Sequence, residues 1–190
     1  YAQSGLADTL FHPVLIATSS FGCSATATAA VLVHPAPIAQ FTATPPTGCA
    51  PAPIAFQDLS IGASALTWLF GDGTFLNASP GNASHSFSNP GSISAQYPVR
   101  LIASSAHGCR DTSLVPVTIY PAIDAAFQLP AEACSPAVLQ LTGQSANAVQ
   151  LLWDMGDGVT LVGSSISHTY VNPGASDSTF TVPLFATSAY

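Results

Sequence analysis

The fold is decided by a short stretch near the middle of the chain, Trp68-Leu69-Phe70-Gly71-Asp72-Gly73. Leu66, Trp68 and Phe70 alternate with other positions, which is the period-2 pattern of a strand with one buried face. The Asp-Gly that follows tolerates positive φ angles and therefore favours a tight hairpin turn. The stretch predicts a strand that turns back on itself, with Trp68 on its apolar face.

The same pattern returns 85 positions later as Trp153-Asp154-Met155-Gly156-Asp157-Gly158. Outside these hairpins, His34-Pro35 matches Tyr120-Pro121, and Tyr190 falls on His107. Self-similarity at a fixed period is typical of repeat proteins. The predicted divisions are the C-terminal part of one repeat (1–35), a complete repeat (36–121), and a repeat that lacks its last strand (122–190).

Further period-2 stripes surround the hairpin in the complete repeat. Ile54 and Phe56 form one, and the stretches 97–103 and 115–119 form two others. The 16 prolines and 14 glycines are spread along the chain and leave no helical window of useful length. The expected fold is all-β, a tandem array of immunoglobulin-like β-sandwiches, with seven or eight strands in residues 36–121.

Charge is scarce in this sequence. The 190 residues carry two basic and nine acidic side chains, so the net charge is −7. Two cations cannot neutralise a phosphate backbone, which excludes nucleic-acid binding. The apolar runs are far shorter than the ~20 residues that a membrane-spanning helix needs. Residues 1–5 lack the pattern of a signal peptide, so we expect a mature protein or an internal fragment.

The hairpin, the H-x-[FY] after it and the Y-x-V-x-L strand that precedes Gly108-Cys109 resemble PKD (polycystic kidney disease) domains. Gly48-Cys49-Ala50-Pro51 is similar to the opening of the repeats found in large secreted surface adhesins of gliding, Bacteroidetes-type bacteria. The third copy departs from this pattern with Ala133-Cys134 and with Met155 in place of an aromatic residue. The resemblance implies a secreted, extracellular, cell-surface protein, and in those bacteria type IX secretion.

Cys49 and Cys109 bracket the complete repeat, and we predict a structural disulfide between them. Closing a loop of about 60 residues would stabilise the fold by roughly 4 kcal/mol in the chain-entropy model. Cys23 and Cys134 have no partner within the sequence; a partner for Cys134 is expected two positions past Tyr190. Buried free thiols and zinc ligands are the alternatives. A disulfide would imply an oxidising compartment.

The two tryptophans and the aspartates of the turns each allow two interpretations. Trp68 and Trp153 are expected in the cores, although exposed tryptophans also serve as sugar-stacking platforms. Asp72 and Asp157 are expected to stabilise their Gly-Asp-Gly turns through side-chain hydrogen bonds. Calcium is the alternative, but it needs six to eight oxygens and each turn supplies one or two carboxylates. We therefore expect no cofactor and no metal.

No catalytic constellation is found in the sequence. His85 and His168 are repeat equivalents, each expected to bond locally, and His12, His34 and His107 have no partner at a useful spacing. The single glutamate excludes both an H-E-x-x-H motif and a pair of catalytic glutamates. The chain is not expected to be an enzyme.

Two positions carry a possible modification. Asp8-Thr9-Leu10 and Asp177-Ser178-Thr179 are similar to the motif at which bacteria of the suspected group attach O-glycans, which makes Thr9 and Ser178 candidates. An Asp-Ser/Thr turn that opens a strand is the alternative.

The expected function is a non-catalytic stalk or filament segment of a large cell-surface adhesin or surface fibre. Its expected partners are neighbouring PKD repeats of the same chain or of adjacent subunits, with surface polysaccharide or cell-surface proteins as further candidates. Two other functions stay open. The chain could be a PKD spacer or substrate-binding module of a secreted hydrolase, or a self-assembling filament or sheath subunit.

Overall fold

The computed structural model describes residues 7–130 and 132–190, so residues 1–6 of the predicted first repeat and Ala131 lie outside it. The described residues form seventeen β-strands and no helix, which confirms the all-β expectation. They divide into two compact units. The first holds the described chain up to Pro46 with Ile54–His85 and Tyr97–Val117, and the second holds Thr47–Pro53, Ser86–Gln96 and Thr118–Tyr190.

The N-terminal part of the first unit consists of two small antiparallel sheets. β1 (Thr9–Phe11) pairs with β4 (Val31–Val33), and β2 (Val14–Thr18) pairs with β3 (Ser24–Thr28). Gly22, with a φ of 82°, allows the tight turn between β2 and β3. No side chain in these four strands is buried.

Eight strands follow between Phe41 and Tyr120, as the sequence predicts. They form a three-stranded sheet in the order β10-β7-β5 and a five-stranded sheet in the order β6-β12-β11-β8-β9. Their bounds are β5 Phe41–Thr44, β6 Thr47–Cys49, β7 Ala52–Asp58, β8 Ala65–Leu69, β9 Phe75–Ala78, β10 Ala83–Phe87, β11 Ala95–Ser104 and β12 Arg110–Tyr120.

The predicted hairpin connects β8 and β9. Leu69 pairs with Phe75, and the backbone amide of Phe70 donates to the carbonyl of Thr74. The positive φ angles belong to the two glycines, 84° at Gly71 and 92° at Gly73. Gly71 is also required by space, because a Cβ there would lie 2.9 Å from the Pro98 ring.

Alternation along the strands places every second side chain in the core. In β7 it buries Ala52, Ile54 and Phe56, and in β11 it buries Val99, Leu101 and Ala103. Phe41 of β5 stands edge-on to the ring of Trp68 in β8, with centroids 5.1 Å apart. This contact joins the two sheets inside the first unit.

The second unit contains the last five strands in two sheets. β13 pairs with β16, and the other sheet has the order β15-β14-β17. The bounds are β13 Ala137–Thr142, β14 Gln150–Asp154, β15 Thr160–Val162, β16 Ser165–Tyr170 and β17 Leu184–Thr187. The buried core consists of Leu141, Trp153, Met155 and Tyr170.

Candidate functional site at the repeat junctions

Both tryptophans lie inside their cores. Trp68 and Trp153 are fully buried, so neither ring can stack on a sugar at the surface. The indole N–H of Trp153 donates to the carbonyl of Gly163 at 2.8 Å. The buried N–H of Trp68 has no acceptor in the part of the chain that the structure describes.

Each Gly-Asp-Gly turn is tied to a histidine of the same repeat. One oxygen of Asp72 accepts from the amide and hydroxyl of Thr74, and the other lies 2.6 Å from Nε2 of His85. The ring of His85 also stacks on Phe70, with centroids 4.1 Å apart. The sequence predicted a turn hydrogen bond for Asp72 and a local bond for His85, but it did not predict that these two residues contact each other.

The second unit has the same arrangement. Asp157 accepts from the amide of Val159 and lies 2.7 Å from Nε2 of His168. The recurrence of an aspartate in the turn and a histidine shortly after it, once in each hairpin, was a signal in the sequence that could have revealed the pair. The carboxylate oxygens of both aspartates accept hydrogen bonds from their own turn and lie beside the histidine of the same unit, so they stabilise the hairpins.

The charge of both aspartates is favoured by these contacts. Burial alone would raise the pKa of Asp72, but hydrogen bonds from Thr74 and His85 outweigh it and hold that pKa below the ordinary value. The hydrogen bond from His168 lowers the pKa of Asp157 in the same way. The pKa of Tyr170 is raised by burial, with the charges of Asp157 and Asp154 adding to the effect.

The predicted Cys49–Cys109 disulfide is not formed, and Cys23, Cys49, Cys109 and Cys134 are all free thiols. The register of the strands explains why the two cysteines do not form a disulfide. Cys49 is the partner of Tyr120 at the end of β12, whereas Cys109 immediately precedes the start of that strand. Eleven steps along a strand span about 35 Å, and a disulfide requires Cα atoms within about 7 Å.

The first junction is the place where the end of the N-terminal segment contacts the hairpin between β11 and β12. His34, which follows β4, stacks flat on His107 of the hairpin between β11 and β12, with ring centroids 3.6 Å apart and planes 1° from parallel. Nδ1 of His34 lies 3.0 Å from a carboxylate oxygen of Asp8. The spacing of His34 and His107 along the chain gave no indication of this contact.

The second junction has the same design with other aromatic residues. Tyr120, at the end of β12, stacks on Tyr190, with centroids 4.4 Å apart and planes 10° from parallel. These are the residues that match His34 and His107 in the repeat alignment. The sequence could therefore have predicted this contact, because the same pair of equivalent positions is aromatic at both junctions.

Hydrogen bonds also hold the connecting segments. After the first junction, the amide of Ala39 donates to the carboxylate of Asp111 at 2.8 Å, and Ile38 forms a β-bridge with Ile61. After the second junction, the side-chain amide of Asn147 donates to the carbonyl of Ala122 at 2.9 Å. Ordered contacts on the backbone of a connection restrict its motion.

The two candidate glycosylation residues lie in different surroundings. Thr9 is half-buried in β1 and pairs with Val33, and the neighbouring carboxylate of Asp8 faces His34. Ser178 is exposed and lies outside the strands. Among the described residues, no helix is long and apolar enough to cross a membrane.

Comparison with known proteins identifies the repeats. The PKD domain model matches residues 34–119 and 120–187. No curated protein sequence matches the chain. Similar solved structures include the PKD1 domain from the Vibrio cholerae metalloprotease PrtV, with 19% identity and a TM-score of 0.36, covering 45% of this chain and 98% of that domain.

Two other structures show a similar degree of likeness. The PKD1 domain of Vibrio anguillarum Epp has 19% identity and a TM-score of 0.37, covering 46% of this chain and 96% of that one. A structure described as the basis for the promiscuous specificity of carbohydrate-binding modules from the β-sandwich superfamily has 15% identity and a TM-score of 0.42, covering 81% and 84%. Because the family model matches well over half of its residues, the chain belongs to the PKD domain family.

Proposed function

We propose that this chain is a non-catalytic, extracellular stalk or filament segment of a large cell-surface adhesin or surface-fibre protein. In this proposal residues 1–35 end one PKD repeat, residues 36–121 form a complete repeat, and residues 122–190 form most of the next. PKD domains are typically extracellular and non-catalytic modules. The role of the segment is to hold successive repeats in a fixed order and geometry.

The observation that carries the proposal is the aromatic stack that recurs at both junctions. A stacked pair of rings with an ordered backbone on either side resists bending more than a flexible linker of Gly and Ser does. The stack recurs with different residues, His34 on His107 and Tyr120 on Tyr190. Because the ring contact is present at both junctions although the side chains differ, the recurrence supports a structural role for this contact in the array.

The composition suits such a segment outside the cell. With no lysine and two arginines, the chain offers few sites for trypsin-like proteases and few ionic contacts that salt could weaken. The partners in the proposal are the neighbouring repeats, with surface polysaccharide or cell-surface proteins bound elsewhere on the complete protein. Secretion by a type IX system, and O-glycans on Thr9 and Ser178, are finer parts of the same proposal.

An intact-mass measurement of the native protein, combined with peptide mapping, tests the proposal. We expect a chain built from many further repeats of this length, with any excess mass in glycans on Asp-Ser/Thr motifs. A chain in which these repeats flank a hydrolase domain would contradict the stalk function and favour a spacer or substrate-binding module. A short chain that polymerises would instead favour a filament subunit.

A further inference from the structure

Three side chains capable of binding a metal meet at the first junction. Asp8 precedes β1, His34 follows β4, and His107 lies in the hairpin between β11 and β12. Their potential ligand atoms all lie within 4.8 Å of one another. We propose that these three residues bind a divalent transition-metal ion of the zinc class, which would fasten the N-terminal segment to the complete repeat.

The donor set points to this class of metal. Two imidazole nitrogens and one carboxylate oxygen suit Zn²⁺ and its neighbours, whereas Ca²⁺ and Mg²⁺ prefer sites made of oxygen alone. Three protein ligands would leave a fourth position for water. The site therefore differs in chemistry from the calcium alternative considered for the Gly-Asp-Gly turns.

Metal binding requires one imidazole ring to rotate. Ligand atoms around a tetrahedral Zn²⁺ lie roughly 3.3 Å apart, given bonds of about 2.0–2.2 Å. An ion cannot lie in the planes of two rings stacked 3.6 Å apart, so one imidazole must turn out of the stack. His107 is exposed and His34 retains 29% side-chain exposure, so their surroundings leave room for this rotation.

The electrostatic setting favours a cation. The chain carries a net charge of −7 and two basic residues, Arg100 and Arg110, neither of which is salt-bridged to Asp8. The ion pair of Asp8 is with His34, at 3.0 Å. Binding would replace that contact by two bonds to the metal, and it would join residues that are far apart in sequence.

The second junction supplies an internal control. Tyr120 and Tyr190 occupy the positions of His34 and His107, and neutral tyrosines are poor ligands for this class of metal. We therefore expect one metal ion for each chain, and we expect it at the first junction alone. The ion would replace the ring stack at this junction alone, and the stack of Tyr120 on Tyr190 would be unchanged.

Titration of the 190-residue chain with Zn²⁺, after its four exposed or half-buried thiols have been blocked with iodoacetamide, tests the proposal. Calorimetry should find one site, with affinity reduced at least about tenfold in His34→Gln and in His107→Gln. His12→Gln, which removes an exposed histidine outside the three-residue cluster, should bind as the parent chain does. Ca²⁺ should not compete.

A second measurement covers the case in which a variant folds poorly. Imidazole ¹⁵N resonances of the unmutated chain should shift on Zn²⁺ addition for His34 and His107, while those of His85 and His168 stay in place. Failure to bind, binding that survives both substitutions, or shifts confined to other histidines would overturn the proposal. The stalk function would be unaffected, because the second junction works without metal.

Discussion

At the scale of single residues, Trp68 and Trp153 hold equivalent places in successive repeats but differ in their polar contact. Both rings are fully buried, and Trp153 donates to Gly163, while the N–H of Trp68 lacks an acceptor among the described residues. A buried, unsatisfied donor costs about 1–3 kcal/mol. The packing of the large Trp68 ring in the core must therefore outweigh the cost of its unsatisfied N–H.

Substitution of Trp68 by Ala should lower the free energy of unfolding of the complete repeat by about 3–5 kcal/mol, because a large cavity would replace an aromatic ring that contacts Phe41 and Phe56. Phe75→Ala is the matched control, since that ring is 64% exposed, and it should cost much less. Urea unfolding followed by circular dichroism measures both. Equal losses would show that Trp68 is not a core residue.

The Asp72–His85 contact predicts a dependence on pH. Because the pKa of Asp72 in the folded chain lies below the ordinary value of an aspartate, its charged form stabilises the fold above the unfolded pKa, and that contribution is lost as the pH falls through the folded pKa. Asp72→Asn should therefore be less stable than the parent at pH 7, and the difference should shrink below about pH 4.

Urea midpoints of the two chains at pH 7, 4 and 3 measure this convergence. The asparagine amide keeps an acceptor for Thr74, so the variant isolates the charge of the side chain. A difference in stability that stays constant down to pH 3 would mean that the charge of Asp72 contributes nothing.

At the scale of the elements, the two glycines of the turn between β14 and β15 are constrained to different degrees. A Cβ on Gly156 would clash with the backbone oxygen of Thr181, whereas a Cβ on Gly158 would meet nothing within 4 Å. Both residues have positive φ angles, 72° and 94°. The first glycine of the turn is therefore fixed by backbone conformation and by space, the second by conformation alone.

Gly156→Ala should consequently destabilise the third repeat by about 1–3 kcal/mol more than Gly158→Ala does, because the clash adds to a conformational cost that the two variants share. Unfolding followed by the fluorescence of the buried Trp153 measures the two variants under the same conditions. Similar losses for both would show that the backbone moves away from the new methyl group at little cost.

Local patterns explain which elements could be predicted from the sequence. The stripe of Val99, Leu101 and Ala103 and the hairpin after Trp68 depend on neighbouring residues, so period 2 and turn chemistry predict them correctly. The pairing of Cys49 with Tyr120 is a parallel contact between distant segments, which no local pattern encodes. The disulfide prediction failed for that reason.

The candidate site was harder to predict than the fold. The stack of His34 on His107 joins residues separated by most of a repeat, and neither has a metal-ligand or catalytic spacing. The repeat alignment already contained the correspondence with Tyr120 and Tyr190. The alignment does not show that the residue after β4 contacts the hairpin between β11 and β12.

At the scale of the whole molecule, the free thiols give a test of how the strands are arranged. Oxidation of the chain with glutathione disulfide should give mixed disulfides with glutathione and no Cys49–Cys109 bond, because β12 separates these two residues by about 35 Å. Peptide mapping without reduction identifies the products. A Cys49–Cys109 peptide in high yield would contradict the parallel pairing of β6 with β12.

We propose that successive repeats meet through stacked, hydrogen-bonded junctions that make the array stiff. Backbone ¹⁵N relaxation of the 190-residue chain tests this most directly, read at the amides of His34, Ile38, Tyr120 and Ala122. We predict order parameters of about 0.85, equal to those of the strands on either side. Values below about 0.6 at these amides would show flexible linkers and would contradict the account.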